Sequence, residues 1–588
     1  MYRAAAGPRF CRDKQKRGIC REILVLSQAG LSLRLNFTGQ GTNSLAISYH
    51  KLHALIVDDF ESFRSTLYKM LMDIGIGNVD SASNGEEALR YCKSRAYDLI
   101  LCDHNLGKGK SGQQVLEEIR VGSNLCSDSL FILVSAENSK SIIMAAYDYE
   151  PDAYLTKPIN TKALEQRLAR LFEQRDVLKP ILQAQSSGNH AEAIRLCLNE
   201  MNAAGRHTNQ CQKMLGNLYL NTGQVNEAEA LYRNVLENRE LEWAQLGMAR
   251  TKMLQGDNLG AQQWLEAVLQ RNPLCMKAYD MCAEIFRSQG AIQALQDVLV
   301  QATELSPLSI LRQQSLGEVA HQNNDLVIAV SALRRAVRLG EHSIFDKPRV
   351  HNQFAQTTVD LFATDRELAK PLLREALKSV ADIEDRFGKS SLQRAQSQFL
   401  ESQLWFCSGE ERKAQETLAK ARATLASVNG DDAIAAEMEM VRTLRTLRKD
   451  EEAQAQLAQL SAKYAGKEDI LERLDVLQDE PQSEKNKQLV ADINKKGIAA
   501  YNSKNYAAAA DAFRIALQSL PNHIGLRLNY VQAMVDSLKV DFNRSSSDKM
   551  AQILIKTGML ISQNHPQYRR YRQLHDSFQS LLKEQGIS

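Results

Sequence analysis

Two regimes of hydrophobic patterning divide the chain. Between residues 51 and 173, short apolar runs end abruptly on polar side chains. Ala54–Val57 stops at Asp58 and Asp59, Leu99–Cys102 at Asp103, Phe131–Val134 at Ser135, and Ala153–Leu155 leads through Thr156 to Lys157 and Pro158. Unbroken apolar runs of this length predict parallel strands buried on both faces, and the carboxyl ends of such strands form the ligand edge of an open α/β sheet. Four strand ends therefore offer three carboxylates, a hydroxyl and an ammonium to one edge. From residue 174 onward the apolar positions follow helical periodicity alone, recurring at a period near 34.

The helical regime is clearest over 209–242. Leu215, Gly216 and Tyr219 fall on one helix, Gly223 at a turn, and Ala228, Tyr232 and Val235 on the next. Small residues at the Gly216 and Ala228 positions let paired helices approach closely, and the large apolar ones fill the seam between neighbours. The register recurs over 174–207, 276–309, 310–343, 395–428 and 490–523, with degenerate copies in 344–394, 434–467 and 524–588. The stretch 243–275 fits only with two extra residues. This spacing resembles the tetratricopeptide (TPR) repeat, which implies an all-α superhelix with a protein-binding groove. A polar stretch around Asp479–Lys487 interrupts the pattern and predicts a linker. The expected organisation is a basic, disordered extension at 1–50, an α/β domain at 51–173, repeats at 174–465, a polar linker at 466–489, and further TPR-like helices at 490–588.

The strand-end cluster carries the chemistry. Carboxylates about 4 Å apart repel by roughly 4 kcal/mol at an effective dielectric near 20. A divalent cation relieves that cost, and all-oxygen ligation suits magnesium. A carboxylate held beside the ion can attack a phosphoryl donor, a reaction that needs mainly positioning and charge neutralisation.

These residues resemble the response-regulator receiver domain of two-component signalling, from about His53 to Arg170. The resemblance implies a flavodoxin-like fold, a parallel five-stranded sheet, and Mg2+ as cofactor. It makes Asp103 the phosphoacceptor, with Asp59, Asp103 and the Asn105 carbonyl as metal ligands and Asp58 completing the acidic pocket. Ser135 and Lys157 become the groups that bind the phosphoryl oxygens, Tyr154 the aromatic that rotates inward, and Lys157-Pro158 a cis-proline turn. Asn105 and Glu137 occupy the positions that tune dephosphorylation. The loop 105–112 departs from the family, with Gly107 in place of the usual proline and one residue more. Its Gly109-Lys110-Ser111 lacks the earlier glycine of a phosphate-binding P-loop, since His104 stands there.

Charge and composition narrow the function classes. The net charge of +3 is concentrated at the start: residues 1–50 hold eight Arg/Lys against Asp13 and Glu22, so the rest of the chain carries −3. That balance argues against a broad nucleic-acid surface, and no helix-turn-helix pattern follows the receiver, so no DNA partner is expected. No run of 18 apolar residues predicts a membrane span. The ten cysteines lack metal-ligand spacing, consistent with thiols in a reducing cytoplasm. The repeats hold no catalytic cluster, so the only expected reactions are the receiver's self-phosphorylation and autodephosphorylation. Lys213, Asn217 and Lys277 fall where some TPR domains clamp a peptide carboxylate, whereas His575-Asp576 and the Tyr568–Arg572 run are expected on a solvated helix. The expected function is a cytoplasmic response regulator whose phosphorylation gates protein binding by the repeats. A histidine kinase or phosphotransfer protein would serve the receiver, a protein or peptide the groove, with a homodimer as a further possibility. The alternative is a constitutive scaffold whose receiver only docks.

Overall fold

The computed structural model describes residues 48–586 except 123–128, 137–143, 145–148, 204–205, 389, 429–432 and 562. The extension expected at 1–50 lies outside the described residues apart from its last three.

The first apolar runs form strands, as their patterning requires. They are β1 (His53–Val57), β3 (Leu99–Asp103), β4 (Leu130–Ser135) and β5 (Ala153–Thr156), and the mostly polar segment Asn78–Ala82, which no apolar run marked, adds β2 at one edge. All pair in parallel in the order β2-β1-β3-β4-β5. β3 and β4 are buried along their whole length, which explains why neither shows polar alternation. The flanking helices include α1 (Glu61–Ile74), α2 (Gly85–Ser94) and α3 (Gly112–Val121). Asn84 caps α2 by accepting from the Glu87 N–H, and Ser111 opens α3 in a capping box with Gln114. The chain leaves β1 toward β2 and returns to β3 on the other side of β1. That reversal opens a crevice at the carboxyl ends of β1 and β3, where Asp58 and Asp103 stand.

After β5 the structure departs from the simplest expectation. The boundary expected after residue 173 falls inside a single helix, Thr161–Ser186, with Pro180, a residue suited to a helix start, in its interior. Proline costs a helix interior about 3 kcal/mol, but burial on both sides outweighs it. Leu164, Leu168 and Phe172 are buried on the receiver side. Leu178 and Ile181 join Ala193, Cys197, Cys211 and Leu215 in the first cluster of the helical region. Between the two sets Arg175 is buried, ion-paired to Asp98 at 3.2 Å and stacked 4.7 Å from the Phe172 ring. The joint is a shaft.

Beyond it the described residues form only helices and the turns between them, and successive helices pack as pairs. Helices begin at Thr208, Glu242, Met276 and Ile310, a constant step of 34 that includes the stretch expected to need extra residues. Gly223 and Gly256 turn within their pairs at φ of 76° and 77°, and Asn324 takes the same role at 60°. The fully buried Tyr232 ring is wedged between two glycines on neighbouring helices. A Cβ on Gly216 would lie 2.4 Å from its hydroxyl, and one on Gly247 2.4 Å from its ring.

Residues 466–489, expected as a polar linker, contain the helix Glu468–Asp475 and the start of Glu484–Asn502. Their turn is organised by the buried Asp475, whose carboxylate accepts from the Gln482 and Ser483 N–H groups, the Ser483 hydroxyl and the Asn486 amide. The helix Arg544–Leu560 folds back on the middle of the array. Lys549 donates to Gln293 at 2.7 Å, Asn324 donates to Gln552 at 3.1 Å, and Lys556 donates to Asn324. No helix among the described residues is long and apolar enough to cross a membrane.

Gly247→Val should collide with Tyr232 and lower stability by about 1–3 kcal/mol, the usual cost of overpacking. A lower urea midpoint, with faster amide exchange over residues 208–254, is the expected readout. An unchanged midpoint would contradict the wedge.

Candidate functional site

Four strands deliver the candidate side chains to the edge. β1 ends before Asp58 and Asp59, β3 on Asp103, β4 on Ser135, and β5 runs into Lys157. Asp58, Asp59 and Asp103 each place a carboxylate oxygen within 4.8 Å of the other two. Asp58 is fully buried and Asp103 6 % exposed, whereas Asp59 faces solvent and leaves the cluster accessible. The Lys157 ammonium bridges the two buried acids, 2.8 Å from Asp58 and 2.7 Å from Asp103, with the Phe63 ring 4.0 Å away. Asp58 also accepts from the Phe60 N–H at 2.8 Å, and Arg64 donates to its carbonyl at 2.6 Å.

The magnitudes show what this arrangement lacks. At an effective dielectric of 20, each contact to Lys157 is worth about 6 kcal/mol, while each of three carboxylate pairs at 4.8 Å or closer costs about 3.5 kcal/mol or more. Attraction barely covers repulsion, and two negative charges remain. Burial raises the Asp103 pKa, the hydrogen bond and charge of Lys157 lower it, the Asp58 charge raises it and the Asn105 N–H lowers it, for a net rise. Lys157 is itself raised, because its two carboxylate partners outweigh burial. Hard oxygen donors with a net charge of −2 and an open side fit a doubly charged hard cation, as in the Mg2+-binding acidic pocket general to receiver domains.

Ser135 is buried at the end of β4, where its carbonyl accepts from the Lys157 N–H at 2.8 Å. The half-buried Tyr154 packs on the receiver core. The Asn105 side chain accepts from the Gly107 N–H at 3.2 Å, and Lys157-Pro158 is cis. Glu137 lies outside the described residues. Gly107 sits at φ 73°, beyond proline's reach, and a Cβ there would lie 3.1 Å from the Asp59 carboxylate. The loop's departure from the family thus keeps the exposed side of the cluster clear.

Chemotaxis protein CheY-3 of Vibrio cholerae serotype O1 is 30 % identical over 129 residues, 22 % of this chain and 98 % of that relative. The chain belongs to the response regulator receiver family. Residues 54–169 match the family described as response regulator receiver domain. Chemotaxis protein CheY of Pseudomonas aeruginosa is 29 % identical over 120 residues, 20 % of this chain and 95 % of that protein. The crystal structure of response regulator protein TrrA from Thermotoga maritima with Mg(2+)-BeF is 31 % identical, covering 20 % of this chain and 98 % of that one, at a TM-score of 0.19. The family match and the relatives by sequence concern the receiver alone, and they place the chain in two-component signalling.

One set of contacts has no sequence signal. The loop after Asp103 and helix α3 dock on residues 341–345 of the helical region. Lys110 donates to the His342 carbonyl at 2.6 Å, and Gln114 to that of Glu341 at 2.8 Å. The buried Glu117 carboxylate accepts from the Ser343 hydroxyl and, at 3.0 Å, from the Ile344 N–H. Tyr149 stacks on Phe345, centroids 6.2 Å apart. Glu150 pairs with Lys277. Burial opposes its ionisation, but the Lys277 hydrogen bond and the charges of Lys277 and Lys213 prevail and depress its pKa. Two residues singled out as carboxylate-clamp candidates therefore face the receiver's own carboxylate. Tyr568 and Tyr571 pack into the C-terminal core, Arg570 bonds Asn529 and Gln532, and His575 stays beside Asp576 at 3.3 Å.

Lys157→Met removes the one ammonium among three carboxylates. Its affinity for Mg2+, measured by calorimetry, should rise at least about tenfold, since a unit charge about 4 Å away is worth several kcal/mol even when screened. An unchanged affinity would show that the ion binds elsewhere.

Proposed function

We propose that the chain is a cytoplasmic two-component response regulator in which phosphorylation of Asp103 gates protein binding by a TPR-type helical array. The observation that carries the reading is the Lys157 ammonium between Asp58 and Asp103 at the open end of β1 and β3. Asp103 is the nucleophile: its carboxylate oxygen forms the new bond to phosphorus as the bond to the donor's leaving group breaks, and no proton leaves the carboxylate. Asp59, Asp103 and the Asn105 carbonyl would hold Mg2+, with Asp58 beside them. The ion would neutralise charge on the transferring group. Ser135 and Lys157 bind the phosphoryl oxygens. Every contact Lys157 makes to the new group weakens its hold on Asp58. Tyr154 is the aromatic that responds, and Asn105 with Glu137 sets the lifetime. The donor is a histidine kinase or phosphotransfer protein.

The output follows from the docking. Asp103 is tied through residues 104–111 to α3, and α3 carries Glu117 into the array. We assign the signal's exit to this face, together with Tyr149 and Glu150. In the resting chain Glu150 occupies Lys277 and faces Lys213, so a partner's carboxylate competes with the receiver for them. The second reading, a constitutive scaffold, is favoured by the burial of Glu117, which describes a receiver firmly docked. A switch needs the phosphoryl group to favour release by only about 1–3 kcal/mol.

Acetyl phosphate or beryllofluoride with Mg2+ should modify or occupy Asp103, and Asp103→Asn should abolish labelling while the fold persists. Labelling of that variant would refute the assignment. Glu117→Ala should loosen the docked receiver without phosphorylation, expanding the chain in solution scattering and increasing amide exchange at residues 341–345. If phosphorylation leaves scattering, exchange in the array and partner affinity unmoved while Asp103 is labelled, the scaffold reading replaces ours.

A further inference from the structure

A second cluster of metal-ligand side chains lies far along the chain from the receiver, where the segment expected as a linker meets the C-terminal helices. Asp479 and Glu480 occupy the turn between helices Glu468–Asp475 and Glu484–Asn502. His523 precedes the helix Ile524–Val540. One ligand atom from each of Asp479, Glu480 and His523 lies within 4.8 Å of the other two.

The state of His523 separates this cluster from an ordinary acidic patch. Its side chain is 5 % exposed, yet neither ring nitrogen has a hydrogen-bond partner. A buried polar atom with no partner is costly unless something fills the gap. Nδ1 stands 3.7 Å from Asp479 Oδ1, too far for a hydrogen bond. Two donors on one tetrahedral ion, with bonds of about 2.0–2.2 Å, stand roughly 3.4 Å apart. A neutral imidazole carries one lone pair for a ligand. Gly525 leaves room for the ring: a Cβ there would lie 3.1 Å from His523 Cε1.

The surroundings orient the carboxylate. Asp479 Oδ1 accepts from the Ile524 N–H at 2.7 Å, and Oδ2 from His565 Nε2 at 2.9 Å. The Gln567 N–H donates to His565 Nδ1 at 3.1 Å, which leaves the ring proton on Nε2, facing Asp479. Carboxylates that ligate metals are themselves held in place by hydrogen bonds. His565 is thereby committed, and His523 supplies the nitrogen.

We propose that Asp479, Glu480 and His523 form a site for a borderline divalent cation of the zinc type, which joins the 466–489 segment to the C-terminal helices. One imidazole and two carboxylates suit Zn2+ or Co2+ better than Mg2+, whereas the receiver cluster is all oxygen. The ion would tie the turn at 479–480 to the start of the helix that precedes Arg544–Leu560, the element that folds back on the array.

The test uses tag-free full-length chain, stripped with chelator and titrated with Co2+ and Zn2+ in millimolar Mg2+ to occupy the receiver cluster. One equivalent of Co2+ should bind with the intense visible absorption of a low-coordinate, nitrogen-containing site, and Zn2+ should displace it and raise the thermal midpoint. His523→Gln should lose the band and the midpoint shift while its receiver still labels with acetyl phosphate, which reports that the variant is folded. Asp103→Asn should retain both. Absence of the band, its persistence in His523→Gln, or its loss in Asp103→Asn would overturn the site. A missing band with an unshifted midpoint would leave a buried water as the partner of His523.

Discussion

One ammonium between two buried carboxylates is the constraint on which the receiver is built. Lys157 reaches Asp58 and Asp103 only because β5 lies beyond β4, β4 beside β3, and β3 beside β1. Each strand therefore has to end at a fixed level, and the uninterrupted apolar runs exist to hold those levels. The contacts to Lys157 nearly cancel the repulsion they oppose and leave the pocket with surplus negative charge. A pocket so balanced changes its internal contacts when a charged group arrives, which is what a switch requires.

The same region is mechanically coupled to the rest of the chain by two routes. One is the unbroken helix Thr161–Ser186, whose buried residues belong to both the receiver and the first helical cluster. The other is the loop from Asp103 to α3, which carries Lys110, Gln114 and Glu117 onto residues 341–345. A rigid shaft beside a polar, hydrogen-bonded dock is a sound arrangement for a switch. The shaft fixes where the receiver sits, while the dock rests on a few polar contacts, three of them hydrogen bonds to charged groups worth about 1.5–3 kcal/mol each. The array in turn is closed by its own C-terminal helices, through Lys549, Gln552 and Lys556.

The sequence by itself determined four of the five strands, the order of the acids and a repeat period near 34. Apolar runs ending at Asp58, Asp103, Ser135 and Lys157 are local patterns, and strand burial follows from them directly. The Gly216 and Ala228 spacing is likewise local, because close helix approach depends on side-chain size at fixed intervals. What the tertiary structure alone decided is where charges meet across long separations. Pro180 reads as a helix start, and only burial on both sides of Arg175 makes it a helix interior. No local pattern marks Glu117, and the approach of Ser343 and Ile344 buries it. Lys277 reads as a groove residue, and only the receiver's position gives it Glu150. His523 carries no local signal, since the acids that face it lie more than forty residues earlier in the chain. Periodicity encodes what each segment buries, while long-range electrostatics depends on which segments the fold brings together.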